Sequence, residues 1–160
     1  MGCNRTISSS SGPAGAAPAD SDCTGVPVLY EVSSTEYYTV TNPNYEIITD
    51  GVNHLNDMDI DLPAGSYVAE FSSHVLNTIS YRYLHIAFFI GKNIIPSSYR
   101  KICCETGGEY DDIHCDSIEF DIAEGGETVT VKCYYEIISS DLGSMSIRAR
   151  SFHIKKTDIS

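Results

Sequence analysis

Between residues 57 and 104, DMDIDLPAGSYVAEFSSHVLNTISYRYLHIAFFIGKNIIPSSYRKICC, apolar and polar positions change places every residue or two, and turn residues break the pattern at short intervals. This spacing predicts four strands and no helix. Met58, Ile60 and Leu62 alternate with Asp57, Asp59 and Asp61, the period of two that gives a strand one buried and one wet face. The three aspartates are assigned to the wet face. Pro63, Ala64 and Gly65 supply a turn, and a strand over 66–76 follows. The next segment, 81–90, differs, because Leu84, Ile86, Phe88 and Ile90 fill one face while Tyr81, Tyr83, Ala87 and Phe89 fill the other. Such a strand is predicted to be buried on both sides. Its second apolar face needs a cover from another sheet or another subunit, since large apolar patches left in water mark interfaces.

The same reading extends along the chain from Val28, with strands over 28–32, 36–41, 45–49, 58–62, 66–76, 81–90, 98–103, 117–123, 128–138 and 144–155. Asn42-Pro43-Asn44, Asp50-Gly51, Gly91-Lys92-Asn93, Gly107-Gly108 and Gly125-Gly126 punctuate them. Many short strands with such turns predict an all-β antiparallel sandwich. In its closing half Ile118, Phe120 and Ile122 alternate with Glu119 and Asp121, and Val129, Val131, Cys133, Tyr135 and Ile137 return on one face, which makes Cys133 a buried core thiol. Residues 1–27 are rich in Ser, Ala, Gly and Pro and have no periodic apolar face, so they are read as a flexible arm carrying the domain at 28–160. Gly12 to Ala17 gives two Gly-X-Y triplets, too few to hold a triple helix. Met1-Gly2-Cys3-Asn4-Arg5-Thr6 fits a loose acylation pattern that is short and common by chance.

The order of an apolar/Asp strand, LPAGSYVAEFS, a gap, YLHIAFFIGKNIIPSSYRK, then ETVTVKCYYEI and SMSIRARSFHIKK resembles the small jelly-roll heads of collagen-like and fibre proteins of phages and large DNA viruses. These look distantly similar to trimeric jelly rolls of the tumour-necrosis-factor and complement type. The likeness covers roughly residues 45–158, and its most specific piece is P-A-G-S-Y followed by I-G-K-N and S-S-Y-R-K. It implies an antiparallel jelly-roll sandwich with an extended N-terminal arm. It further implies a virion-surface structural protein: a capsid decoration or minor capsid protein, or a fibre head. Its partners would be two further copies of itself and a major capsid protein or fibre shaft, docked through the arm. The expected trimer interface is the second face of the doubly apolar strand: Tyr81, Tyr83, His85 and Phe89. A head that binds a host receptor or glycan is the alternative, with Tyr99, Glu109, Tyr110 and Asp111 in the external contact loop. A cellular complement-type ligand is a further one.

Charge narrows the partners. The 160-residue chain carries a net charge of -12, which argues against nucleic acid, whose phosphates need a clustered basic surface. Arg148, Arg150, Lys155 and Lys156 concentrate positive charge on a terminal strand, where they are expected to face solvent or balance neighbouring carboxylates. The longest apolar run, Leu84 to Ile90, falls short of the ~18 to 20 residues of a membrane span. The amino end lacks the apolar core of a secretory signal.

Catalytic chemistry finds no support in the sequence. His54, His74, His85, His114 and His153 are scattered without an H-x-H pair, there is no G-x-S-x-G elbow, and no Gly-rich phosphate loop is present. No enzyme, cofactor or metal is expected. Asp50, Asn53, Asn56, Asp57, Asp59 and Asp61 lie close in sequence, but Leu62 stands where an EF-hand loop needs glycine. Glu105, Glu109, Asp111 and Asp112 read as a solvated loop. His114 and Cys115 are adjacent and should point to opposite faces of a strand. The six cysteines, Cys3, Cys23, Cys103, Cys104, Cys115 and Cys133, allow many pairings, and free thiols and disulfides both stand. A bridge from Cys103 or Cys104 to Cys115 would close the loop ETGGEYDDIH.

Overall fold

The structure, a computed structural model, describes residues 5–10, 28–40, 53–78, 82–104, 110–136 and 145–158. Its strands are β1 (Arg5–Ser10), β2 (Val28–Ser34), β3 (Tyr38–Val40), β4 (Asn53–His54), β5 (Ile60–Leu62), β6 (Gly65–Asn77), β7 (Arg82–Ile90), β8 (Asn93–Ile94), β9 (Arg100–Cys104), β10 (Tyr110–Ile122), β11 (Glu127–Glu136) and β12 (Met145–Lys156), with single 3-10 turns at Asn56–Met58 and Pro96–Ser98. One sheet runs β1-β2-β12-β6-β10, with β3 also on β12. The other runs β4-β11-β7-β8, with β5 on β11 and β9 on β7.

The pairing order defines the architecture. Take β4 and β5 as one interrupted strand, since both lie on β11, and set aside the accessory strands β1, β3 and β8. The first principal strand, β2, then pairs the last, β12; β4 and β5 pair β11; β6 pairs β10; and β7 pairs β9, all antiparallel. The chain is one long antiparallel hairpin folded over on itself. It is closed by the β12–β6 and β11–β7 ladders, which is the jelly-roll arrangement. The antiparallel jelly-roll sandwich expected from the sequence is the fold of this chain.

The inner faces of the two sheets meet in one core. Phe71 on β6 and Phe152 on β12 belong to the first sheet, and Phe88 on β7 reaches them from the second, with ring centroids 4.9 Å apart for Phe88 and Phe152 and 6.2 Å for Phe71 and Phe152. Tyr67 stacks on Phe120 at 5.7 Å and donates its hydroxyl to the Pro63 carbonyl at 2.8 Å. Edge and offset contacts of this kind add about 0.5–1.5 kcal/mol per pair to plain burial. At the Gly125-Gly126 turn, Gly126 has φ +78, and a Cβ there would come within 2.8 Å of the Leu62 carbonyl oxygen. Only glycine fits.

Several sequence expectations change here. Arg5–Ser10, assigned to the arm, forms a strand in parallel register with β2, from Arg5 opposite Val28 to Ser10 opposite Ser33. It satisfies an edge that would otherwise be open. Met58 and Ser98, read as the first residues of strands, instead close the 3-10 turns Asn56–Met58 and Pro96–Ser98. β10 starts at Tyr110, not at 117, because a bulge between Cys115 and Ile118 carries one strand through both halves. The inward set shifts from Ile113 and Cys115 to Ile118 and Ile122, with Ser117 at φ 55 absorbing the change. The predicted strand at 45–49 lies outside the described residues.

A second bulge, between Arg148 and Ser151 on β12, does the same with Ala149 at φ 49. Met145 and Ile147 point inward before it, Phe152 and Ile154 after it, and Arg150 is turned into the protein. Arg150 is 2 % exposed, so it does not face solvent. It donates to the carbonyls of Glu36 and Ile147 at 2.9 Å each and to Ser34 Oγ at 3.2 Å, and it pairs with the Asp57 carboxylate. Asp57 is therefore an ion-pair partner and not part of a wet strand face. Asp59 bonds His54 at 2.6 Å. Asp61 keeps the predicted exposed position and accepts from Thr128. Removing one partner of a buried pair strands the other charge. Asp57→Ala should accordingly lower stability in urea by about 3–5 kcal/mol; a loss below about 1 kcal/mol would show that Arg150 is held by its carbonyl contacts alone.

Candidate interaction surface

The outward positions of β7 are Tyr83, His85, Ala87 and Phe89, the face expected to join copies. The chain covers it itself. Ile94 on β8 lies opposite Phe89, and Ile94 and Tyr99 pack on Ala87 and Phe89. The connecting turn is stitched to the exposed edge of β7: Ile95 N–H donates to the Phe88 carbonyl at 2.8 Å. The buried Ser98 hydroxyl accepts from Phe88 N–H at 2.8 Å and donates to the Ile95 carbonyl at 2.6 Å. His85 hydrogen-bonds the Tyr99 hydroxyl through Nδ1.

Two lysines finish the cover. Lys132 lies on β11 opposite Ala87 with Nζ 4.7 Å from the Phe89 ring centroid. Lys101 lies on β9 opposite His85 with Nζ 4.2 Å from the Tyr83 centroid. Each places a charge on a ring face and its alkyl stem over apolar surface. Phe89 is left 1 % exposed and His85 4 %, so neither can be reached by a second copy without unfolding the turn. Tyr83 is half-buried, and Tyr81 lies outside the described residues. His85 and Phe89, expected at a trimer interface, make an intramolecular contact in this structure.

The expected external loop is also redistributed. Tyr99 is half-buried with its hydroxyl engaged by His85, and Tyr110 and Asp111 are the first residues of β10. Glu109 lies outside the described residues. Asp111 sits beside the Cys104 thiol.

Cys103, Cys104, Cys115 and Cys133 are free thiols, which corrects the bridge expected from Cys103 or Cys104 to Cys115. Cys104, Cys115 and Cys133 are buried among core side chains, and Cys133 is the core thiol that alternation predicted. Burial pushes Cys104 up to about 12, helped by the Asp111 carboxylate. Burial raises Cys115 to about 11 and Cys133 to about 12 against smaller opposing effects of Arg100 and Arg150. Protonated thiols are poor nucleophiles. His114 faces solvent while Cys115 points inward, as adjacency on a strand requires.

Elsewhere the surface is polar and internally bonded. His74 pairs with Asp112 across β6 and β10, Ser66 donates to Asp121 at 2.6 Å, and Arg148 donates to the Tyr37 hydroxyl at 2.7 Å. An open cleft of about 500 Å³ lies between the β5–β6 and β10–β11 turns, lined by Asp61, Leu62, Pro63, Gly125, Gly126, Glu127 and Thr128. It brings two carboxylates and a hydroxyl to one rim, with no histidine or thiol among its lining residues. Among the described residues no three His, Cys, Asp or Glu side chains are grouped as metal ligands, and Asp50 lies outside them.

Two outcomes follow. Phe89→Asp should destabilise the folded chain by about 3–5 kcal/mol, as other losses of a buried aromatic ring do, and lower the thermal midpoint at every protein concentration. A variant as stable as the parent that merely changes native mass would restore the intersubunit reading. The thiols bind their protons more tightly folded than at the ordinary value of 9.0. Between pH 9 and 11 the native state therefore holds more protons and stability falls as pH rises, while below pH 9 these groups contribute nothing. Urea midpoints across that range, flattened in a Cys133→Ala variant, check the sign.

No family profile and no curated protein matches the chain. Solved structures do: a structure of the infectious bursal disease virus Gt strain superposes with a TM-score of 0.59 at 12% identity, covering 90% of this chain and 38% of that one. The VP2 subviral particle of infectious bursal disease virus gives a TM-score of 0.58 at 11% identity, covering 90% of this chain and 38% of the other. This chain thus spans well under half the length of the chains it matches, and what it shares with them is the fold.

Proposed function

We propose that the chain is a virion structural protein, a capsid decoration or minor capsid component or the head of a fibre, displayed in several copies on the particle surface. The observation that carries this reading is the jelly-roll strand order, held over 90% of the chain in common with proteins of a virus particle. In this reading the protein binds and does no chemistry. Residues 1–27 dock on the shell or shaft, with Arg5–Ser10 lying along the β2 edge and bringing the arm out beside the first sheet. The polar outer faces and the net charge of -12 keep a densely displayed layer soluble.

Gradient-purified particles should carry the chain at fixed stoichiometry. Recombinant full-length protein should bind stripped particles, and deleting residues 1–27 should reduce the bound fraction at least tenfold while leaving the far-ultraviolet circular dichroism that of a β-protein. A chain that stays in the soluble fraction, and whose full-length form ignores stripped particles, would contradict this function.

A further inference from the structure

On the outer face of the first sheet the register sets Arg148 on β12 opposite His74 on β6, and His74 opposite Asp112 on β10. His74 and Asp112 are exposed and bonded ring to carboxylate. Tyr37, the residue before β3, closes the row at its other end. The Arg148 guanidinium donates to the Tyr37 hydroxyl at 2.7 Å and lies 5.3 Å from its ring centroid. Among the described residues Tyr37 is the one large apolar side chain left exposed, at 59 %. Its backbone is nevertheless held. Glu36, just before it, donates its N–H to Ser34 Oγ at 3.2 Å and gives its carbonyl to Arg150, so the buried Arg150–Asp57 pair anchors the connection that presents the ring. The four side chains stand in one line across the sheet, about 14 Å long at ~4.8 Å per strand step. Ser151 and Ser72, the next pair on β12 and β6, are short and form a lower, hydroxyl-bearing strip beside the row.

We propose that this row binds a neutral oligosaccharide, laid across the strands with one sugar ring on Tyr37. The order of functional groups carries the argument. A guanidinium only donates, a carboxylate only accepts, and a neutral imidazole between them has one nitrogen of each kind. Sugar hydroxyls donate and accept, so one chain of sugars meets all three groups. An anionic ligand would meet the Asp112 carboxylate, and a cationic one the Arg148 guanidinium. The C–H groups on one face of a sugar ring carry slight positive charge and pack on the negative face of an aromatic ring. Tyr37 offers such a face already oriented by Arg148, which spares the cost of ordering it on binding. The row is as long as two or three linked sugars. This goes beyond the virion reading by adding attachment to display, and a row repeated on many copies turns weak single contacts into avid ones.

Titration of the isotope-labelled full chain with maltotriose, N-acetyllactosamine and chitotriose, followed by heteronuclear NMR, tests this. At least one of these neutral probes should shift the amides of Tyr37, His74, Asp112 and Arg148 together and saturably. Tyr37→Ala and Arg148→Gln should each weaken that binding at least tenfold, whereas Tyr37→Trp, which keeps an aromatic face, should retain it. Tyr37 is exposed, so its variants should keep the parent spectrum away from the row, and they carry the test if Arg148→Gln disturbs β12. Failure of all three probes to shift the row, shifts centred on the Gly125-Gly126 turn instead, or a Tyr37→Ala variant that binds like the parent would each overturn the inference. Sialyllactose bound at the row where the neutral sugars fail would overturn it in favour of an acidic glycan held by Arg148. The readout uses the free chain and not particles, so this inference and the virion reading can fail separately.

Discussion

A strand apolar on both faces must be covered twice. β7 is that strand: Leu84, Ile86 and Phe88 belong to the core between the sheets, and Ala87 and Phe89 to a smaller cluster on the outside. The second cover is local. The chain turns at Gly91, adds the two-residue strand β8, and folds Ile94 and Tyr99 onto the outer face within about ten residues of the side chains they shield. Closing so short a loop costs little entropy. Ser98 and Ile95 supply the hydrogen bonds that the β7 edge lacks between its pairings with β8 and β9. A self-closed β7 makes the jelly roll a finished unit.

The polar interior obeys a related constraint. Arg150 enters the protein because a bulge reverses the facing of β12, and it ties together Ser34, Glu36 and Asp57. These groups lie on the first sheet, its β2–β3 connection and the turn before β5. A pair of this kind is a weak source of net stability but a strong penalty on misplacement, since either charge alone inside the protein is costly. It fixes how the β2–β3 link meets the β4–β5 segment while the aromatic cluster supplies the burial.

Much of this architecture was legible in the residues. Alternation placed β5, β6, β11 and the second half of β10, the turn residues fell between strands, and Cys133 landed in the core. Both bulges also leave a trace: the apolar positions run 145, 147 and then 152, 154 on β12, and 113, 115 and then 118, 120, 122 on β10. A change of parity inside one apolar series marks a bulge; read as two segments it hides β10's first half and leaves Arg150 on the surface. The cover over β7 was not legible, because Ile94-Ile95-Pro96-Ser97-Ser98-Tyr99 has no period and looks like a turn. A doubly apolar strand says that a cover exists, not whether the same chain provides it.

Hydrogen–deuterium exchange on the dilute full-length chain tests most directly whether β7 is enclosed by its own chain. Amides of β7, including Phe88 bonded to Ser98, should be among the slowest to exchange, with rates independent of protein concentration. Fast exchange in β7 at low concentration, slowing only as copies associate, would place the second cover in a neighbouring subunit and contradict this account.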